Sequence, residues 1–291
     1  MRKPFICIAS ASSFQMESDI LHKNMRIHSI IKVKGEIYML NDIQIGPITI
    51  HMYGLMIGTG FAAAYFICCL RAKKKQLSED ILWGILLCAL AGAIIGTRLL
   101  YYIVSIPQIL ENPSILWNFK NGYVVYGGII FGVLFGYIYC KKKNVSFLQY
   151  FDLVMPSVSV AQGFGRIGCF FAGCCYGQQT DSWFHIIYTH SDFAPNNIPL
   201  IPTQLLSSAG NFIIAGILFS YASKAKKDGM VGAMYMILYS IGRFFIEIYR
   251  NDFRGEWGGL STSQLISIIV LISGISFMYL LKKNKRELQP Q

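Results

Sequence analysis

Seven apolar stretches, each about as long as the roughly twenty residues that cross a bilayer as a helix, constrain this chain more than any other feature. They cover approximately 52–70, 81–104, 123–140, 151–173, 205–223, 229–249 and 262–281. Backbone in hydrocarbon must satisfy its own hydrogen bonds, so stretches of this length are expected to be helical. Hydrophobic residues form 54% of the sequence and charged ones 14%, which excludes a soluble enzyme built on one large core. The expected fold is all-α, a polytopic membrane protein with about seven transmembrane helices.

The basic residues orient those helices. Runs at Arg71–Lys75, Lys141–Lys143, Lys224–Lys227 and Lys282–Arg286 follow the first, third, fifth and seventh stretches. With seven crossings all of them fall on one face, which the positive-inside rule makes cytoplasmic. The carboxyl terminus is then inside and the amino terminus outside. The segment 174–204 has no Lys or Arg, and Trp117, Trp183 and Trp257 are placed to anchor the outer interface. The net charge of +11 is therefore spent on topology, and a nucleic-acid partner is not expected. Of the eight cysteines, Cys68, Cys69, Cys88, Cys140, Cys169, Cys174 and Cys175 lie in or beside apolar segments, with no disulfide framework to read.

Residues 1–38 differ from the rest. They hold six Lys and Arg and no sustained apolar run, and Pro4–Ser13 is too broken for the core of a signal peptide. Basic residues close to a span resist translocation, so the working protein is expected to begin at or near Met39. The chain is accordingly read as an extension over 1–38, disordered or untranslated, and a membrane domain over 39–291. From Met39 the sequence MLNDIQIGPITIHMYG alternates and leads into the first span.

Polar residues collect toward the outer leaflet on this topology. His51 and Tyr53 open the first span, Arg98 lies near the end of the second, and Tyr126-Gly127-Gly128 begins the third. Arg166 stands in GFGRIGCFFAGCCYG, Gly163 to Gly177. A guanidinium at membrane depth needs a partner or water, and such a residue is a functional candidate by default. The alternative is an arginine snorkelling from a helix end, with glycines that let helices pack closely. Arg243, Glu247 and Arg250 are spaced i, i+4 and i+7, so they share a helix face as a ladder that is either structural or functional. Convergent arginines at headgroup depth suit phosphate oxygens, which guanidinium forks bind bidentately. The residues alone thus point to a phospholipid headgroup site. Gly127 and Gly128 admit either a substrate glycerol or a neighbouring helix, and His51 is either an interfacial residue or a base. Cys169, Cys174 and Cys175 lack the paired CxxC spacing of a structural metal site and are read as small packing residues, so no metal and no cofactor are expected.

These residues resemble the phosphatidylglycerol–prolipoprotein diacylglyceryl transferases of bacterial inner membranes. The resemblance runs from about Met39 to the end. It is carried by IGPITIHMYGLM (45–56), GTRL (96–99), Tyr126-Gly-Gly, the Gly163–Gly177 signature, PTQL (202–205), RFFIEIYR (243–250) and LSTSQLIS (260–267), all in family order. It implies transfer of a diacylglyceryl group from phosphatidylglycerol to the lipobox cysteine of a lipoprotein precursor, at the outer leaflet of the cytoplasmic membrane. On the same basis Arg243, Tyr126 and Glu247 are the catalytic candidates. Arg166, Tyr53, His51, Arg98, Gly127, Gly128, Gly177 and Arg250 are candidates for binding the lipid.

Three positions depart from the family pattern. Tyr126 stands where the family usually has His, Cys169 where it has Asn and Cys174 where it has Glu. A phenol with a pKa of about 10 is a poorer base than an imidazole, so the usual proton route is in question and Glu247 or Cys174 are alternatives. Other readings compatible with these changes are a phospholipid-binding protein without transfer, a paralogue with another acceptor, and a thiol-active membrane protein using Cys169, Cys174 and Cys175.

Overall fold

The computed structural model describes residues 31–32, 36–37, 42–45, 48–117, 122–189, 191–252 and 255–283. Apart from 31–32 and 36–37, the expected extension lies outside the described residues. Among the described residues the helices are α1 (Met52–Lys74), α2 (Glu79–Val104), α3 (Ile106–Glu111), α4 (Val125–Lys142), α5 (Phe147–Ala172), α6 (Thr203–Ala222), α7 (Met230–Ile248) and α8 (Thr262–Lys283). All but the short α3 lie on the apolar stretches. Taken by length and apolarity, α1, α2, α6, α7 and α8 can cross a membrane. α4 falls short because two of its 18 residues are the terminal Lys141 and Lys142, and α5 because Asp152, Gln162 and Arg166 interrupt its apolar run. The protein is a predominantly helical membrane protein.

Short antiparallel ribbons precede or join the helices: β1 (Ile31–Lys32) with β2 (Glu36–Ile37), β3 (Asp42–Ile45) with β4 (Ile48–His51), β5 (Ile186–Ile187) with β6 (Pro199–Leu200), and β7 (Glu256–Trp257) with β8 (Leu260–Ser261). The alternating stretch before α1 is the β3–β4 ribbon, in which Asp42 pairs with His51 and Ile45 with Ile48.

The chain forms two compact units. In the first, Cys69–Tyr150, α2 and α4 pack backbone to backbone. Gly92 and Gly96 on α2 face a stripe on α4 containing Gly127, Gly128 and Gly132, the small-residue geometry of membrane helix pairs. A Cβ on Gly127 would fall on the Gly96 carbonyl, and one on Gly92 would lie 2.5 Å from the Phe131 carbonyl. Ser78 caps α2, its hydroxyl accepting from the Ile81 amide at 3.4 Å, and Glu79 and Asp80 complement the helix dipole.

The second unit, Leu21–Cys68 with Phe151–Gln291, holds most of α1 and α5 together with α6, α7 and α8. α5 runs unbroken through the buried Pro156. Its buried Asp152 caps α7, accepting from the Gly229 and Gly232 amides at 2.8 Å each. Ser159 donates to the Asn211 carbonyl at 2.8 Å, and the Ser208 hydroxyl on α6 donates to the Gly163 carbonyl at 2.9 Å. Tyr235 on α7 donates to Gln162 Oε1 at 2.9 Å. Polar zips of this kind fix helix rotation where burial of apolar surface cannot, since lipid is as apolar as the helix faces.

Candidate functional site

The last turn of α7 presents Arg243 and Glu247 on one face, as the four-residue spacing requires. Arg243 Nη2 lies 2.8 Å from Glu247 Oε2, and both side chains are largely buried. Arg250, just past the helix end, approaches the same oxygen at 4.0 Å. Its main partner is Asp252, which it grips through both forks: Nε donates to Oδ1 at 2.8 Å and Nη2 to Oδ2 at 2.6 Å. Burial works against the Arg250 charge, but Asp252 outweighs it and the guanidinium pKa is raised.

α8 begins against this ladder. The Ser261 hydroxyl accepts from the Gln264 amide at 3.2 Å while Gln264 Oε1 accepts from the Ser261 amide at 2.9 Å, a reciprocal capping box. The same Ser261 hydroxyl donates to Glu247 Oε1 at 3.2 Å, and Ser263 Oγ accepts from Arg243 Nη2 at 3.1 Å. The start of α8 thus holds both members of the ion pair.

Arg166 reaches the same place from α5. Arg166 and Arg243 line one cleft together with Ser207 and Asn211 of α6 and Tyr239 of α7. Arg243 Nη1 and Asn211 Oδ1 are buried there without a hydrogen-bond partner among the described residues. Arg166, half-buried, makes no hydrogen bond or ion pair among the described residues. Three arginines against Glu247 and Asp252 leave the site with one net positive charge. A buried donor on a guanidinium is costly to leave unmet, and an anion with several acceptor oxygens would meet it.

The loop after α5 stitches these elements together. Gly173 and Cys175 adopt positive φ, 70° and 62°, turning the chain sharply. The Thr203 hydroxyl donates to the Cys175 carbonyl and Gln204 Nε2 to the Cys174 carbonyl, both at 2.8 Å. Gln204 Nε2 also donates to the Tyr188 hydroxyl at 3.1 Å; burial raises the pKa of that phenol. Gly177 bridges Arg250, and its amide donates to the Ile201 carbonyl at 3.2 Å. A Cβ there would lie 2.5 Å from that carbonyl, so glycine is required for close approach. The thiols of Cys169, Cys174 and Cys175 come within 4.8 Å of one another, which their sequence spacing did not suggest.

The remaining expected residues divide between the units. His51 ends β4 and is exposed, and Tyr53 is in the first turn of α1. The Tyr53 carbonyl would lie 3.2 Å from a Cβ on Gly168, so the signature glycine lets α1 approach α5. Arg98 belongs to the first unit and is buried. It donates to the Tyr102 hydroxyl at 2.8 Å and to the carbonyls of Gly122, Ile115 and Leu116 at 3.2, 3.4 and 3.3 Å, beneath the rings of Tyr101, Tyr102 and Tyr123. Backbone dipoles and aromatic faces solvate this cation and tie down the α2–α4 connection. Gly127 and Gly128 serve the α2 contact, and Tyr126 stands half-exposed beside them.

Sequence reasoning missed Asp252, Asn211 and Tyr239. Ser207 and Asn211 carried a signal: with Thr203 they are polar residues spaced four apart along one face of α6.

Residues 41–280 match the family model described as prolipoprotein diacylglyceryl transferase. A protein of Clostridium tetani named phosphatidylglycerol–prolipoprotein diacylglyceryl transferase is 48% identical over 226 residues, 78% of this chain and 91% of that protein. One of Clostridium perfringens with the same name numbered 2 is 43% identical over 255 residues, 87% of this chain and 96% of its own. A Finegoldia magna protein of that name is 35% identical over 239 residues, 81% and 93% of the two chains.

Proposed function

The chain belongs to the prolipoprotein diacylglyceryl transferase family, and from that premise we propose that Arg166 and Arg243 hold the phosphate of the lipid donor. The protein is a transferase that moves a diacylglyceryl group from phosphatidylglycerol to a lipoprotein precursor. In the reaction the acceptor's cysteine sulfur attacks the lipid glycerol carbon bearing the phosphate ester. A C–S bond forms, the C–O bond breaks, and glycerol phosphate departs with the electron pair; the thiol proton passes to a base or to solvent. The enzyme's task is to stabilise charge on the departing phosphate, which preorganised guanidinium forks do well in a dry site.

The observation that carries this reading is the buried, unpartnered Nη1 of Arg243 in the cleft it shares with Arg166. Glu247 and Arg250 are positioning residues in this scheme: Glu247 already engages Arg243 and Ser261, and Arg250 is committed to Asp252. Tyr126 orients the lipid through its hydroxyl, with His51 and Tyr53 at the mouth of the first span and Gly177 fixing the loop. The acceptor carries a lipobox cysteine, and the enzyme lies in the bacterial cytoplasmic membrane with seven crossings, amino terminus outside.

The test is transfer of labelled phosphatidylglycerol to a lipobox peptide by purified protein in nanodiscs, with rescue of a transferase-depleted bacterium in parallel. Arg166→Ala and Arg243→Ala should insert normally and lose transfer. Wild-type turnover by either variant would overturn the phosphate assignment.

A further inference from the structure

The thiols of Cys169, Cys174 and Cys175 play no part in the reaction above, yet all lie within 4.8 Å of one another. Cys174 and Cys175 are buried, and Cys169 is half-buried on the last turns of α5. Adjacent residues in a helix or strand point their side chains apart. Here the left-handed conformations of Gly173 and Cys175 fold the loop so that both neighbours face Cys169. A non-glycine residue in that conformation is strained, and strain of this kind persists only where surrounding contacts impose it. Thr203 and Gln204 do so by clamping the carbonyls of Cys175 and Cys174. Gln204 is itself fully buried, and its Oε1 has no hydrogen-bond partner among the described residues.

We propose that Cys169, Cys174 and Cys175 bind one soft metal ion through three thiolates. Thiolates around a single ion at about 2.3 Å stand roughly 4 Å from one another, so the observed cluster needs only a small closing movement. Soft sulfur donors select Cu(I) and Zn(II) over hard cations. Each thiol releases its proton to solvent as its metal–sulfur bond forms, so the loaded centre is anionic with either ion. That charge suits its surroundings: Arg166 is three residues before Cys169 on the same face of α5, in a site of net positive charge.

The experiment uses reduced, full-length protein in nanodiscs under anaerobic conditions, titrated with Cu(I) against a chromophoric chelator and, separately, with Zn(II). One equivalent per chain is expected for at least one of the ions. Cys175→Ser should weaken binding by more than the roughly 10–100-fold that follows loss of a supporting group around a metal. A second readout needs no variant: metal should protect Cys169, Cys174 and Cys175 from alkylation, read by peptide mass spectrometry, while labelling of Cys88 is unchanged. Absence of metal-dependent protection, or undiminished binding when all three cysteines are serine, overturns the site.

Discussion

Arg243 is the residue on which charge and geometry meet, because one fork is held by Glu247 and Ser263 while Nη1 is left for a ligand. Arg243→Ala should lower transfer on the order of 10²–10³-fold, the usual effect of removing one preorganised donor to developing negative charge. Arg166→Lys should also lose most activity, since an ammonium cannot reproduce a two-pronged contact with phosphate; both are read as turnover of labelled lipid. Glu247→Ala is a different case. It strands the buried Arg243 cation, while Arg250 keeps Asp252, and breaking such a pair typically costs about 3–5 kcal/mol, so the variant should melt at lower temperature as well as turn over slowly. A Glu247→Ala protein of unchanged melting temperature would mean that the ladder carries no stability. At Tyr126 the direction is informative: Tyr126→His should raise activity at neutral pH if the phenol is a weakened base, and Tyr126→Phe should lower it if the hydroxyl orients lipid.

At the scale of elements, glycines decide where helices meet. Gly127→Leu should prevent α2 and α4 from closing, because even a Cβ collides with the Gly96 carbonyl; Gly136→Ala, where a Cβ finds only Ile85 at 3.7 Å, should be tolerated. Chromatographic homogeneity after heating separates the two. Helix positions were legible in the sequence because apolar length is dictated by the bilayer. Pro156 leaves α5 continuous, since a proline is tolerated where neighbouring helices satisfy the freed backbone. The role of Gly127 was left open between lipid and helix, as sequence cannot show what faces a missing side chain. The 243–250 spacing gave the ladder correctly, but not the pairing of Arg250 with Asp252, two residues on in a turn where no periodicity applies. The cysteines were read as packing residues because their grouping depends on left-handed backbone at Gly173 and Cys175, which a residue string does not display.

For the whole molecule, the distribution of basic residues makes a topological prediction that the helices alone do not. The ends of α1, α4 and α8 and the α6–α7 connection all carry lysine clusters, while the 174–204 segment that leads from α5 into α6 carries none. Seven crossings put every cluster on the cytoplasmic face and put the Arg166 and Arg243 cleft toward the outer leaflet. Five crossings, which the apolarity of α1, α2, α6, α7 and α8 alone would require, would leave α4 and α5 outside the hydrocarbon. α5 carries Asp152 and Arg166, but Asp152 is spent on capping α7 and Arg166 faces a cleft, so neither need face lipid. Single cysteines introduced at Lys143, Lys226 and Trp183 of an otherwise cysteine-free chain distinguish these arrangements. An impermeant maleimide applied to intact cells should label the Trp183 position and spare both lysine positions until the membrane is opened. Labelling of Trp183 and Lys226 from the same side would remove α6 as a crossing and, with it, the outer-leaflet placement of the arginine cleft.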